Sequence, residues 1–184
     1  MIATASDMMR RGLSPSVSEV AEAAGVSRST AYRYFPTLAD MLRAVVGEAL
    51  GPILSWDEPE LNTAARLESL FGVAFPRLAE HESTFRAAIR QSLEPGTEAN
   101  GDKALGRGHR IALLQRAVSS SGLPPDHSAR LVHALSLTFG IEALIVLKDI
   151  CGLNDRKARD TAIWAASALL DAAFREAGIP APPD

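Results

Sequence analysis

The chain has 184 residues, 47% of them apolar, and a formal net charge of −3. The apolar share supports a real core and excludes a disordered chain, while Cys151, the only cysteine, excludes an internal disulfide and fits a reducing cytoplasm. A membrane span of roughly 20 apolar residues is missing, since the greasiest run, Ala134 to Ile150, is interrupted by Ser136, Thr138, Glu142 and Lys148.

Strand signals are nearly absent, and apolar residues recur at steps of three and four, so the fold is predicted to be all-α. About nine helices are expected, four in the first fifty residues and five after. In the first of the informative stretches, Ser16 and Glu19 have the spacing of a capping box and mark a short helix. Val20, Ala21 and Ala24 give that helix a small apolar face, and Gly25 suits a left-handed residue just past its end. Ser27 can then cap a second helix beginning at Arg28. Two short helices joined by a tight glycine turn form a helix-turn-helix unit.

The second helix presents Arg28, Ser29, Thr30, Tyr32, Arg33 and Tyr34. Arginine can bridge guanine O6 and N7 in the major groove, while hydroxyls and tyrosines suit phosphate oxygens or thymine methyls. The acidic total charge weighs little against this. Residues 1–50 carry five bases and five acids and are neutral, and no acid opposes Arg28 and Arg33 between Gly25 and Leu38. A fourth helix is expected at about Ala39 to Leu50, ended by Gly51-Pro52.

Beyond residue 50, helical spacing runs through Ala64, Leu67, Phe71, Phe75 and Leu78, then Phe85, Ile89 and Leu93, then Ile111, Leu114 and Val118. From about 127 to 150 apolar side chains crowd most faces, and the helix at about 155–177 is rich in alanine. A helix apolar nearly all round is buried on more than one side. These two helices are therefore expected to join a homodimer. Residues 179–184 form a tail.

The stretch Val17–Leu42, which ends in AEAAGVSRSTAYRYFPTLADML, closely resembles the signature of the tetracycline-repressor (TetR) family of bacterial transcriptional regulators. The resemblance implies a three-helix DNA-binding head over residues 1–50, including a linking fourth helix. It also implies a five-helix ligand-binding and dimerisation body over 51–178. By position it places Arg28, Ser29, Thr30 and Arg33 toward the groove, Tyr32 and Tyr34 at phosphate, and Ser18 at a backbone or base contact. Two departures stand out: Leu38 occupies the place of a frequent phosphate-binding lysine, and the chain begins within the expected first helix, with no basic arm. Both imply weaker phosphate anchoring, or a start assigned downstream of the true one.

The function so implied is a ligand-responsive dimeric repressor of a palindromic operator on double-stranded DNA, released by a small apolar molecule. The alternative is an architectural or co-regulatory DNA-binding dimer without an effector. For the first, an apolar cavity is expected among Phe71, Phe75, Leu78, Phe85, Ile89, Leu114, Phe139 and Trp164, with Glu142 as a polar anchor; Glu142 could otherwise meet solvent or an arginine across the dimer. His81, His109, His127 and His133 lack any i, i+4 pair, so no metal is expected. Gly106 and Gly108 lack the rest of a phosphate-loop signature, and no nucleophile-base arrangement is legible. Neither a cofactor nor an enzymatic activity is expected.

Overall fold

Capping groups decide where the first helices begin and end. The computed structural model describes residues 1–59, 61–93 and 108–180. Ser16 Oγ accepts from the Glu19 N–H at 3.2 Å, and Glu19 Oε2 accepts from the Ser16 N–H at 2.7 Å, opening α2 (Val17–Ala23) after α1 (Ile2–Arg10). At its far end Val26 N–H donates to Ala21 O and Gly25 N–H to Glu22 O, with Gly25 at φ +66°. That paired closure requires a left-handed residue, which glycine adopts without steric cost. Ser27 caps α3 (Arg28–Tyr34), and the next helix, α4, spans Leu38–Leu54.

The helix α4 starts on a second reciprocal cap: Thr37 Oγ1 accepts from the Asp40 N–H at 3.1 Å while Asp40 Oδ2 accepts from the Thr37 N–H at 3.2 Å. It runs four residues past the expected end at Leu50. Pro52 lacks the N–H for one helix bond but does not stop the last turn, where Ile53 is buried, as is Trp56 just beyond.

Two compact units divide the chain, Met1–Gly51 with Glu80–Arg107, and Pro52–Ala79 with Gly108–Asp184. The first has a core of Ala5, Met9, Val17, Val20, Ala21, Ala31, Met41, Leu42 and Val45. It also takes in α6 (Glu82–Leu93), which the sequence reading assigned to the body. The reason is long-range packing against α1: Ser83 Oγ donates to Met9 O, Thr84 Oγ1 lies 3.8 Å from Met9 Sδ, and Ala87 lies on the core.

The second unit holds α5 (Thr63–Glu80) up to Ala79, α7 (His109–Val118), α8 (Pro125–Thr138), α9 (Ile141–Ile145) and α10 (Asp155–Ala177). A π-helical turn, Val146–Ile150, continues α9. Phe71 lies 5.7 Å from Phe75 and 5.0 Å from Phe139, ring centre to ring centre, in the middle of this unit. The pair α8 and α10 run antiparallel, with Arg130 near the start of α8 bonded to Glu176 at the end of α10 at 2.9 Å. Ala158, Ala162, Ala166, Leu170 and Phe174, four residues apart, form the buried stripe of α10. Small side chains there let neighbouring helices approach closely.

Ten α-helices are thus present among the described residues, against nine expected. The extra one arises because the apolar run from 127 to 150 breaks at Phe139-Gly140, where α8 and α9 bend by 44°. Gly140 has φ +114° and ψ −176°, a region essentially confined to glycine. The side chain of Arg110 fills the break, donating to Ser136 O at 3.2 Å and to Glu142. No single described helix is long and apolar enough to cross a membrane.

A second arginine cluster fastens the residues after α4. Arg66, 4% exposed, donates to Glu58 O at 3.1 Å and to Arg116 O at 2.7 Å, and lies over the Trp56 ring at 5.6 Å. Arg116 in turn donates to Trp56 O at 2.6 Å.

Candidate nucleic-acid interface

The helix α3 is anchored by one fully buried residue, Ala31, with Phe35 half-buried at its end. A short buried foot leaves the rest of a seven-residue helix in solvent. Arg28, Ser29, Tyr32, Arg33 and Tyr34 are exposed, and Thr30 is half-buried. Among the described residues neither Arg28 nor Arg33 pairs with a carboxylate. The Arg33 guanidinium lies 5.3 Å from the Tyr34 ring centre, a cation–π contact that holds both side chains on the outer face.

The hydroxyls are ordered before any ligand arrives. Ser27 Oγ accepts from the Thr30 N–H at 3.2 Å, donates to Thr30 Oγ1 at 2.9 Å, and lies 3.1 Å from Ser29 Oγ. Ser18 on α2, half-buried, lies 3.2 Å from the Tyr32 hydroxyl, so it meets α3 across the turn. The structure therefore brings all seven expected DNA-contacting residues onto α2 and α3 of one unit, with two unopposed cations and five hydroxyl-bearing side chains. Glu19 on α2 is occupied by Ser16, whose backbone N–H and then hydroxyl hold the carboxyl below its ordinary range.

Residues 3–45 match the family model for bacterial regulatory proteins, tetR family. The segment that holds α2 and α3 is thus similar to the DNA-binding segment of that family. The fold of the chain is also similar to a crystal structure of a tetR-family transcriptional regulator from Streptomyces coelicolor. That match has TM-score 0.74 and 22% identity, and covers 95% of this chain and 80% of that one. A TetR transcriptional regulator from Rhodococcus sp. RHA1 is similar at TM-score 0.64 and 19% identity, over 92% of each chain. No curated protein sequence matches the chain.

Sequence reasoning missed one feature at the start of α4. Leu38, exposed, is the first residue of α4, and the cap that starts the helix is Thr37 with Asp40. The Thr37 hydroxyl, then Arg43 at 2.8 Å, hold the Asp40 carboxyl below its usual range. An ionised acid thus stands two residues from the place where the family often has a lysine. The signal was legible, since Thr-x-x-Asp before an apolar run is a helix-start pattern.

The nine residues expected around a ligand divide between the two units. Phe71, Phe75, Leu78, Leu114 and Phe139 are buried in the second unit. Phe85, buried, and Ile89, half-buried, belong to the first. Trp164 is 71% exposed, because the buried stripe of α10 runs through 162 and 166, and a residue two positions from each lies on the opposite face. Glu142 is not turned to an apolar interior. It is exposed and bonded to Arg110 of its own chain. The second unit does carry an open cleft of about 490 Å³, lined by Ala168, Asp171, Phe174, Arg175, Ile179 and Pro180. None of the nine lines it.

Proposed function

We propose that this regulator is a ligand-responsive dimeric repressor, acting in the cytoplasm, that binds a near-palindromic operator through α3 and is released by a small apolar molecule. The observation that carries the DNA-binding part is the outer face of α3, where two arginines with no acid partner among the described residues stand among hydroxyl groups that suit phosphate. Arg28, Ser29, Thr30 and Arg33 take the groove and Tyr32 and Tyr34 the backbone. A two-fold dimer presents two such helices, so the half-sites are expected one helical turn, roughly 34–36 Å, or a small multiple apart.

Arg33→Ala tests this reading. If Arg33 reads a base, the change removes about 1–3 kcal/mol of operator affinity and relaxes the preference at one base position. Binding of a selected operator measured for both proteins decides it, and equal affinities assign recognition to another surface.

The dimer part is supported by apolar side chains that this chain leaves uncovered: Leu137 on α8 is 80% exposed, Ile150 at the end of the π turn 77%, and Trp164 on α10 71%. Large apolar groups this exposed on successive helices suit a face for a second copy, with helices 127–150 and 155–177 of each subunit forming the joint. Trp164→Glu is expected to shift the protein from a dimer to a species of 19.6 kDa in sedimentation at micromolar concentration. A wild-type chain that already sediments at that mass rules the dimer out.

Release by a ligand requires that effector and operator weaken each other by one and the same factor, about 5–150-fold for a typical coupling. A second reading, a DNA-binding architectural dimer with no effector, is favoured by the direct packing of Phe71 on Phe75 and Phe139. These rings fill each other's space where a ligand was expected. Thermal-shift screening, followed by ligand affinity with and without saturating operator, separates the two.

A further inference from the structure

We propose that Ser18 is not itself a DNA contact but positions and polarises the hydroxyl of Tyr32, so that the two side chains act as one phosphate-binding group spanning α2 and α3. The proposal rests on the reading of α3 as the DNA-binding helix, and it assigns Ser18 a role different from the backbone or base contact implied by the resemblance.

The argument starts from a count of hydrogens. Ser18 Oγ and the Tyr32 hydroxyl lie 3.2 Å apart, and among the described residues this is the only hydrogen bond either group makes. Each hydroxyl owns a single hydrogen. One hydrogen closes the bond between them, which leaves one to donate outward. A phosphate oxygen is an acceptor only, so the pair can offer it a single donor.

Acidity and exposure decide which oxygen supplies that donor. A phenol, with a pKa near 10, gives its hydrogen to an anion more readily than an aliphatic alcohol does. Tyr32 is 46% exposed, whereas Ser18 is half-buried in the first turn of α2. The chain of donation is then Ser18 O–H to Tyr32 O, and Tyr32 O–H to phosphate. A hydroxyl that accepts one bond becomes a better donor in the next, so the serine strengthens the tyrosine's bond. It also removes a freedom: the phenol hydroxyl of a side chain on α3 is pinned to α2 before DNA arrives. Pre-ordered donors lose less entropy on binding.

Thr30 shows the contrast. Its hydroxyl is engaged with Ser27 within the cap of its own helix, and its link does not leave α3. Ser18 and Tyr32, fourteen residues apart, are tied across the turn.

The experiment is a double-mutant cycle on the intact protein, using a duplex selected from a random-sequence library and a second, unselected duplex of the same length. Phosphate contacts carry no sequence information, so both duplexes are expected to respond alike. Ser18→Ala is expected to weaken binding about fivefold and Tyr32→Phe about tenfold, the order of one neutral and one charge-assisted hydrogen bond. The double variant is expected to be no weaker than Tyr32→Phe alone. Ser18→Thr keeps the hydroxyl and is expected to restore most of the loss, which a role in packing alone would not do. Melting temperatures of the four variants beside the native protein show whether the head stays folded, and Ser18→Thr serves if Ser18→Ala does not fold.

Additive losses in the double variant overturn the proposal, because Ser18 then binds DNA by itself. So does a Ser18→Ala protein with unchanged affinity. Tyr32→Phe without effect overturns it too. In that case the Arg33→Ala result shows whether α3 as the DNA-binding helix survives.

Discussion

Arg66→Ala is expected to lower unfolding stability by about 4 kcal/mol. The side chain is 4% exposed and ties three parts of the second unit: the residues following α4, through Glu58 O, the helix α5 on which it sits, and the end of α7, through Arg116 O. Its acid partner among the described residues, Asp57 at 3.9 Å, is largely in solvent. The ion pair therefore contributes little. Most of the cost comes from two carbonyl groups stripped of a charged donor and from the lost packing against Trp56. Arg66→Met separates the two. It restores volume on the indole without the donors, and denaturant unfolding should place it between Ala and the native chain. A methionine variant as stable as the native protein would mean that the hydrogen bonds only offset the cost of burying the charge.

Gly140→Ala is expected to cost about 3 kcal/mol, from strain at its backbone angles and from displaced hydrogen bonds. A Cβ at this position would sit 2.5 Å from Arg110 Nη2 and 2.8 Å from Cζ. Arginine is flexible and can retreat, but only by leaving Ser136 O and Glu142, the groups it joins across the break. Gly178 at the end of α10 is the internal control. It has φ +67° and open space around the position of a Cβ, so alanine there should cost only about 1 kcal/mol. Thermal unfolding of the two variants side by side checks the difference. Equal shifts would show that Arg110 does not hold the break.

The head was legible because its signals are local. Ser16 with Glu19, Gly25 and Ser27 each act within a few residues, and the structure shows the bonds that their spacing implies. The break at Gly140 escaped notice because its cause lies 30 residues away in Arg110, and a glycine inside an apolar run carries no mark of its own. Trp164 was misplaced by composition: a large ring on an alanine-rich helix suggests the interior, but the four-residue step of the alanines chooses the buried face. The place of α6 beside α1 depends on Ser83, Thr84 and Ala87, small residues whose periodicity gives no hint of which neighbour they cover.

That position of α6 makes the first unit discontinuous along the chain, which matters during synthesis. A ribosome releases α1 to α4 before any of α6 exists, and the roughly thirty intervening residues take about 2–6 seconds to make. During that interval the Met9 side of α1 has no cover, so the unit that holds α2 and α3 is not complete until α6 has been made. The same connectivity limits modular exchange. A graft of residues 1–51 onto another body would carry α1 away from the helix that closes it, and a chimera would have to bring residues 80–93 along as well.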